Sequence, residues 1–232
     1  MTNDGILIFG ATGSAGEELV RKLHQEDRSV YVMSRSDKGR EIFEKLGVHI
    51  LKGDAFNSDD VLNVTRQASE DCRTVVTYLG GWPINDPETW PDYVGNKNVI
   101  DAAREVGIKR VVLVTSIGCG KSWDYIPDTS NLITAGILKL KTQAEEYLRQ
   151  TDLDWTIVRP GGLGKVGSVP TTGEGILTEN EAVRGSIARD DLADLTMQVI
   201  GPKGDLSIGK TLAAVATKLQ VFEGELAPFK FA

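Results

Sequence analysis

Histidine and cysteine are almost missing from this chain. His24, His49, Cys72 and Cys119 are the only 2 of each among 232 residues. Neither pair has metal-ligand spacing, so no metal site is expected and both types read as structural, the thiols as buried core residues. A basic face is missing too. With 26 Lys and Arg against 33 Asp and Glu, the formal net charge is −7, which argues against a nucleic-acid partner. No apolar run approaches the roughly 18 residues of a membrane span. The chain opens without a basic-then-apolar leader, so a cytoplasmic protein with no membrane partner is the expectation. Glycine is plentiful, at 25 residues, and 41% of the chain is hydrophobic, enough for one sizeable core.

Apolar runs alternate with helical periodicity almost to the end. Strands are predicted at 5–9, 29–33, 48–52, 74–79, 110–115, 154–158 and 210–216, and helices at 14–26, 37–46, 58–68, 95–106, 137–150 and 189–200. This alternation predicts an α/β fold, a Rossmann-like doubly wound parallel sheet, as a single domain over residues 1–232. Long loops at about 80–94, 117–135 and 161–188 follow strand ends, where ligands bind in such sheets. They predict one substrate cleft.

The first strand runs directly into Gly10-Ala11-Thr12-Gly13-Ser14-Ala15-Gly16, and helical periodicity follows. Strand, glycine turn and helix together aim backbone N–H groups and a helix N-terminus at a pyrophosphate. Gly10 suits the tight turn, Gly13 the close approach of phosphate, and Gly16 the packing of helix on strand. The G-x-x-G-x-x-G spacing resembles the short-chain dehydrogenase/reductase superfamily, in particular its atypical and extended branches.

The end of the second strand selects the dinucleotide. It reads Met33-Ser34-Arg35-Ser36, with no acid until Asp37. An acid there suits the ribose hydroxyl of NAD, and an arginine suits a 2′-phosphate, so Arg35 and Ser34 point to NADP(H), with Lys38 and Arg40 assisting. The resemblance implies further contacts. Asp54, with Ala55, occupies the place beside the adenine ring; the alternative for Asp54 is a cap on the helix near 58. Leu79-Gly80-Gly81 matches a glycine-bearing turn against the cofactor. Thr115-Ser116 matches the place of the active-site serine, which otherwise bonds its own backbone.

Typical superfamily members then carry Tyr-x-x-x-Lys. Here Lys141 stands at the lysine position and Ile137 where the tyrosine belongs. Lys141 either reaches the nicotinamide ribose or pairs on the surface with Glu145. Without the tyrosine acid, reduction of an isolated ketone is disfavoured. A conjugated acceptor spreads the incoming charge and can take its proton from water. If a displaced acid exists, Tyr78, Tyr93 and Tyr125 are its candidates.

Asp154-Trp155-Thr156-Ile157-Val158-Arg159-Pro160-Gly161-Gly162-Leu163 resembles the NAD(P)H-binding, NmrA-like atypical group. That likeness implies that the backbone of Pro160–Leu163 lines the nicotinamide and that Arg159 braces the loop. Ser186-Ile187-Ala188-Arg189-Asp190 resembles the same group's helix start, with Asp190 as its cap. Within the group, compact length, Ser116 and the missing tyrosine resemble the flavin and biliverdin reductase B subfamily. The implied function is an NADPH-dependent reductase passing hydride to a flavin or linear tetrapyrrole, with Ser116 and Lys141 catalytic. Trp82, Trp90 and Trp123 would stack on the planar substrate or else pin the loops. A non-catalytic NADP(H) sensor or scaffold is the alternative, and a monomer or weak homodimer the expected assembly.

Overall fold

The computed structural model describes residues 4–37, 40–81, 90–126, 132–222 and 226–231, with the side chains of 132 and 133 set aside. Eight strands form one sheet in the order β3-β2-β1-β4-β5-β6-β8-β7. They are β1 (Gly5–Phe9), β2 (Val30–Ser34), β3 (His49–Lys52), β4 (Cys72–Thr77), β5 (Arg110–Val114), β6 (Asp154–Pro160), β7 (Gly175–Thr178) and β8 (Lys210–Ala216). The helices are α1 (Ser14–Gln25), α2 (Arg40–Lys45), α3 (Ser58–Ala68), α4 (Val94–Val106), α5 (Leu132–Arg149) and α6 (Arg189–Ile200). The order reverses between β1 and β4, the switch point at which doubly wound sheets bind ligands.

Alternation along the central strands produces two cores. Ile6 and Ile8 of β1 face a layer holding Leu19 and Leu23 of α1, Phe43 of α2 and Leu192 and Leu195 of α6. Leu7 and Phe9 face the other side, with Val61 and Val64 of α3, Val99 and Ile100 of α4 and Leu148 of α5. Both faces of β1 are therefore covered, which explains its unbroken apolar run. The two thiols are buried and free, as expected, and burial pushes Cys119 up to about 12, which removes it as a nucleophile. His49 opens β3 and stacks on Tyr31 at 4.3 Å, a structural role.

Beyond shifts of up to three residues at element ends, such as β4 at Cys72–Thr77, two departures from expectation matter. The stretch 161–188 is not wholly irregular, because β7 runs antiparallel to β8 with Leu177 opposite Ala214, so the sheet is mostly parallel. Helix α5 begins at Leu132, which shortens the loop expected over 117–135. The five residues Leu-Ile-Thr-Ala-Gly carry β-branched and glycine residues that favour a loop locally; tertiary packing overrides them. A Cβ at Gly136 would lie 3.2 Å from the ring of Trp90, so glycine lets α5 settle on that buried tryptophan.

At the sheet's end, Phe229 N donates to Leu177 O at 2.6 Å, and the Phe229 and Phe231 rings meet edge to face. Both rings pack on the α1/α6 core.

Candidate cofactor and active site

The glycine turn is built for close approach. Gly10 has φ +77°, and a Cβ there would come within 2.7 Å of the Tyr78 carbonyl carbon. A Cβ at Gly16 would lie 2.5 Å from Gly10 O, so this glycine seats α1 on the turn. At Gly13, by contrast, a Cβ meets only Gly10 O, at 3.3 Å. No side chain caps α1, whose N-cap is Gly13. The N–H groups of its first turn, at Ser14 and Ala15, are thus left facing the cleft with the positive end of the helix dipole. That geometry fits a pyrophosphate.

Two cavities meet here, sharing Gly10, Gly13 and Tyr78 as walls. The first, about 310 Å³, continues past Thr12, Arg35, Asp54, Ala55, Leu79 and Gly80. The second, about 380 Å³, is bounded by Ser14, Ala15, Gly16, Thr115, Ser116, Lys141 and the Pro160–Leu163 turn. Together they form a cleft of dinucleotide proportions at the switch point. Ser34 and Arg35 line a small notch with Arg40 and Lys52.

Individual side chains differ from the sequence reading in instructive ways. Ser34 Oγ donates to Ser36 O at 2.7 Å, so its proton is used locally. Arg35 is 72% exposed and lies 3.9 Å from Asp54 Oδ2, free to swing onto an anion. Asp54 does not cap α3. Asn57 does, accepting from Asp59 N and Asp60 N, while Asp54 Oδ1 is taken by Phe56 N at 3.1 Å. Gly81 leaves the cleft wall and donates its N–H to Asp92 Oδ2. Thr115 turns its hydroxyl inward to Glu145 at 2.7 Å and offers the cleft only its backbone. Ser116 Oγ donates to Ile117 O at 2.9 Å, so toward the cleft it presents lone pairs.

Lys141 is not a surface partner of Glu145. It is 13% exposed and pairs with the fully buried Asp92 at 2.9 Å. Glu145 is fully buried beneath the site and engages Arg159 instead, which braces the turn after β6 as expected. Burial works against the Arg159 charge, but hydrogen bonds to Glu145 together with the attraction of Glu145, Cys119 and Glu181 outweigh it and the net shift is upward. Asp190 does not cap α6; the N-cap is Ala188, and Asp190 and Asp194 hold Lys22 of α1 at 3.0 and 2.8 Å. Lys22 thereby offsets part of the charge of the acidic cluster of Asp190, Asp191 and Asp194, whose buried member Asp191 instead accepts from Thr172 and Gly173. Tyr78 is no displaced acid, since its hydroxyl is tied to Thr196 and burial pushes its pKa up.

Of the three loop tryptophans, Trp90 is buried and pins its loop to α5, Trp123 is 43% exposed, and Trp82 lies outside the described residues, as does Lys38. Trp123 borders an apolar hollow of about 500 Å³ with Gly118, Gly120, Gly136 and Leu138.

Asp92 and Arg189 escaped the sequence reading. Arg189 donates to Ser14 Oγ at 2.7 Å and to the carbonyls of Leu163 and Gly164, joining the glycine turn to the loop after β6. Its motif was visible in the sequence. The partner of Asp92 lies on α5, too far along the chain for any spacing signal.

A family model described as NAD(P)H-binding matches residues 10–202. The chain belongs to that NAD(P)H-binding family. It is an atypical short-chain dehydrogenase/reductase, and NAD(P)H is its cofactor. An uncharacterized chloroplastic protein of Arabidopsis thaliana is 30% identical over 204 residues, covering 84% of this chain and 71% of that protein. Sanguinarine reductase of Eschscholzia californica is 35% identical over 113 residues, covering 47% of this chain and 40% of that enzyme. Among solved structures, an anaerobillin reductase of Escherichia coli O157:H7 superposes with a TM-score of 0.80 at 27% identity, covering 94% of this chain and 100% of that one. The family's members are thus oxidoreductase-like. Among the described residues no helix is long and apolar enough to cross a membrane.

Proposed function

We propose that this protein is an NADPH-dependent reductase of a conjugated, planar acceptor such as a flavin or a linear tetrapyrrole. The observation that carries the proposal is the pairing of a dinucleotide-sized cleft with Ile137, not tyrosine, one turn before Lys141 on α5. With no phenol at that position, an acceptor that delocalises the incoming charge is the substrate this site suits. The cofactor supplies a hydride. Around it, the first turn of α1 holds the pyrophosphate, Arg35 the 2′-phosphate, and Asp54 the adenine amino group. Ser116 orients the nicotinamide amide through its lone pairs, and Lys141 grips the ribose. The apolar hollow beside Trp123 gives a flat ring system a place to lie, and the glycines in its wall keep it open.

A tetrapyrrole acceptor draws support from the anaerobillin reductase likeness, and an aromatic one from sanguinarine reductase. The cytoplasmic location expected from the sequence stays part of this proposal, beside a relative named as chloroplastic. So do the single-domain organisation and a monomer or weak dimer.

The test is NADPH oxidation in the presence of FMN, riboflavin, biliverdin isomers or sanguinarine. Turnover with at least one supports the reading. Tight NADPH binding without turnover on any of them rejects it in favour of a redox sensor.

A further inference from the structure

Buried carboxylates are costly, and Asp92 is among the most deeply buried in the molecule, at 0% exposure. It is held with care. Oδ2 accepts from Gly81 N at 3.2 Å, and its backbone carbonyl accepts from Asn96 Nδ2 at 2.9 Å. Asn96 is itself buried and locked by Thr77 Oγ1 and Leu79 O at the end of β4. Among the described residues the other oxygen, Oδ1, makes no further hydrogen bond and faces the Lys141 ammonium at 2.9 Å.

Lys141 stands between this carboxylate and the cleft. It walls the 380 Å³ cavity together with Ser116, and its Nζ would lie 2.7 Å from a Cβ at Gly80, which walls the neighbouring cavity. A glycine at position 80 is what lets the ammonium sit there. The charged side chain that walls the Ser116 cavity is therefore positive, and its counter-charge is wholly buried beside it, with Oδ1 of Asp92 3.1 Å from the same Cβ position at Gly80.

We propose that Asp92 is a positioning residue that acts through Lys141 to set the balance between oxidised and reduced cofactor in the cleft. The inference rests on the nicotinamide lying in the Ser116–Lys141 cavity, as proposed above. Loss of a hydride turns the neutral dihydronicotinamide into a cation. A bare ammonium at that position repels the cation and weakens NADP⁺ relative to NADPH. Asp92 cancels much of that field, so NADP⁺ is held more nearly as well as NADPH, and the bound reduced cofactor gives up hydride more readily. Removing the carboxylate disfavours the oxidised form selectively. Removing the ammonium does the opposite and leaves a buried negative charge that favours it.

The experiment measures the dissociation constants of NADP⁺ and NADPH by titration calorimetry, with no acceptor present. In Asp92→Asn the ratio Kd(NADP⁺)/Kd(NADPH) rises on the order of tenfold, as one uncompensated charge within several ångströms implies. In Lys141→Met it falls by a similar factor, and in the double variant it returns to within about threefold of wild type. A purely structural role weakens both cofactors together and is not rescued by the second substitution. A ratio within about twofold of wild type in folded Asp92→Asn, or no return in the double variant, overturns the inference. Should Asp92→Asn fail to fold, the fall in Lys141→Met decides alone, and an unchanged ratio there is equally fatal. Absence of turnover with every acceptor removes the reductase reading but leaves this ratio measurable.

Discussion

Glu145 and Arg159 form a two-pronged ion pair directly beneath the active-site strand ends. Arg159 Nε donates to Oε1 at 2.9 Å and Nη2 to Oε2 at 2.6 Å, with both residues almost wholly buried. Thr115 and Arg149 donate to the same carboxylate, so β5, β6 and α5 converge on one side chain. Glu145→Gln leaves the buried guanidinium with only its longer 3.7 Å contact to the part-exposed Glu181, and the expected loss is about 3 kcal/mol by urea denaturation. Arg149→Ala, which removes a 32% exposed partner, is expected to cost less than about 1 kcal/mol. Equal costs for the two would show that the carboxylate is not the keystone described here.

The glycines of the turn separate folding from binding. Gly16→Ala drives a methyl to 2.5 Å from Gly10 O, so a lower thermal midpoint is expected even without cofactor. Gly13→Val brings a Cβ to 3.3 Å from Gly10 O, a tight contact that asks only a small local shift, and fills the mouth of the cleft. It is expected to keep a native circular dichroism spectrum and lose NADPH binding. Micromolar affinity retained in Gly13→Val removes that turn from the phosphate site.

Selectivity for the 2′-phosphate is assigned to Arg35. Charge-assisted hydrogen bonds from a guanidinium to an anion are worth about 1.5–3 kcal/mol, so Arg35→Ala is expected to lower NADPH affinity about tenfold or more while sparing NADH. Titration of both cofactors reads the ratio directly. No change in that ratio assigns selection to another residue of the notch, such as Arg40.

Proton supply distinguishes the acceptor classes. Ser116→Ala is expected to reduce kcat roughly tenfold, since it removes one orienting contact and no acid. Tyr78→Phe, Tyr93→Phe and Tyr125→Phe are expected to change kcat less than that. For Tyr78 the reason is visible, because its hydroxyl is spent on Thr196. A loss of about a thousandfold in any of the three marks a general acid and turns the assignment toward carbonyl reduction.

The parts of the molecule legible in the sequence are those governed by local pattern. β1, α1 and the glycine turn were readable because unbroken apolar residues, helical period and glycine spacing all act within about 20 residues of one another. β7 was not, since Gly175-Ile176-Leu177-Thr178 is too short to show alternation and earns its strand only by pairing with β8. The start of α5 was hidden for the same reason, being settled by Trp90 across the cleft. Within the site, the glycines could be placed by their spacing and Lys141 by the family resemblance. The assignment of Lys141 to Asp92 and of Glu145 to Arg159 could not, because Lys141 and Glu145 stand one turn apart on α5 and can pair with each other as readily as with distant partners until the chain is folded.

The C-terminal tail carries a consequence for solubility. A sheet with β7 at its margin offers unpaired backbone groups to any other chain, a standing invitation to strand-by-strand association. Phe229 occupies that margin through its own N–H to Leu177, and the two phenylalanine rings anchor the tail to the core. Phe229 thereby covers part of that margin, and the expected effect is to hinder self-assembly there. A chain shortened past Phe229 would keep its cofactor cleft, which lies at the opposite end of β8's neighbours around β1 and β4, yet expose a sticky border and precipitate on concentration.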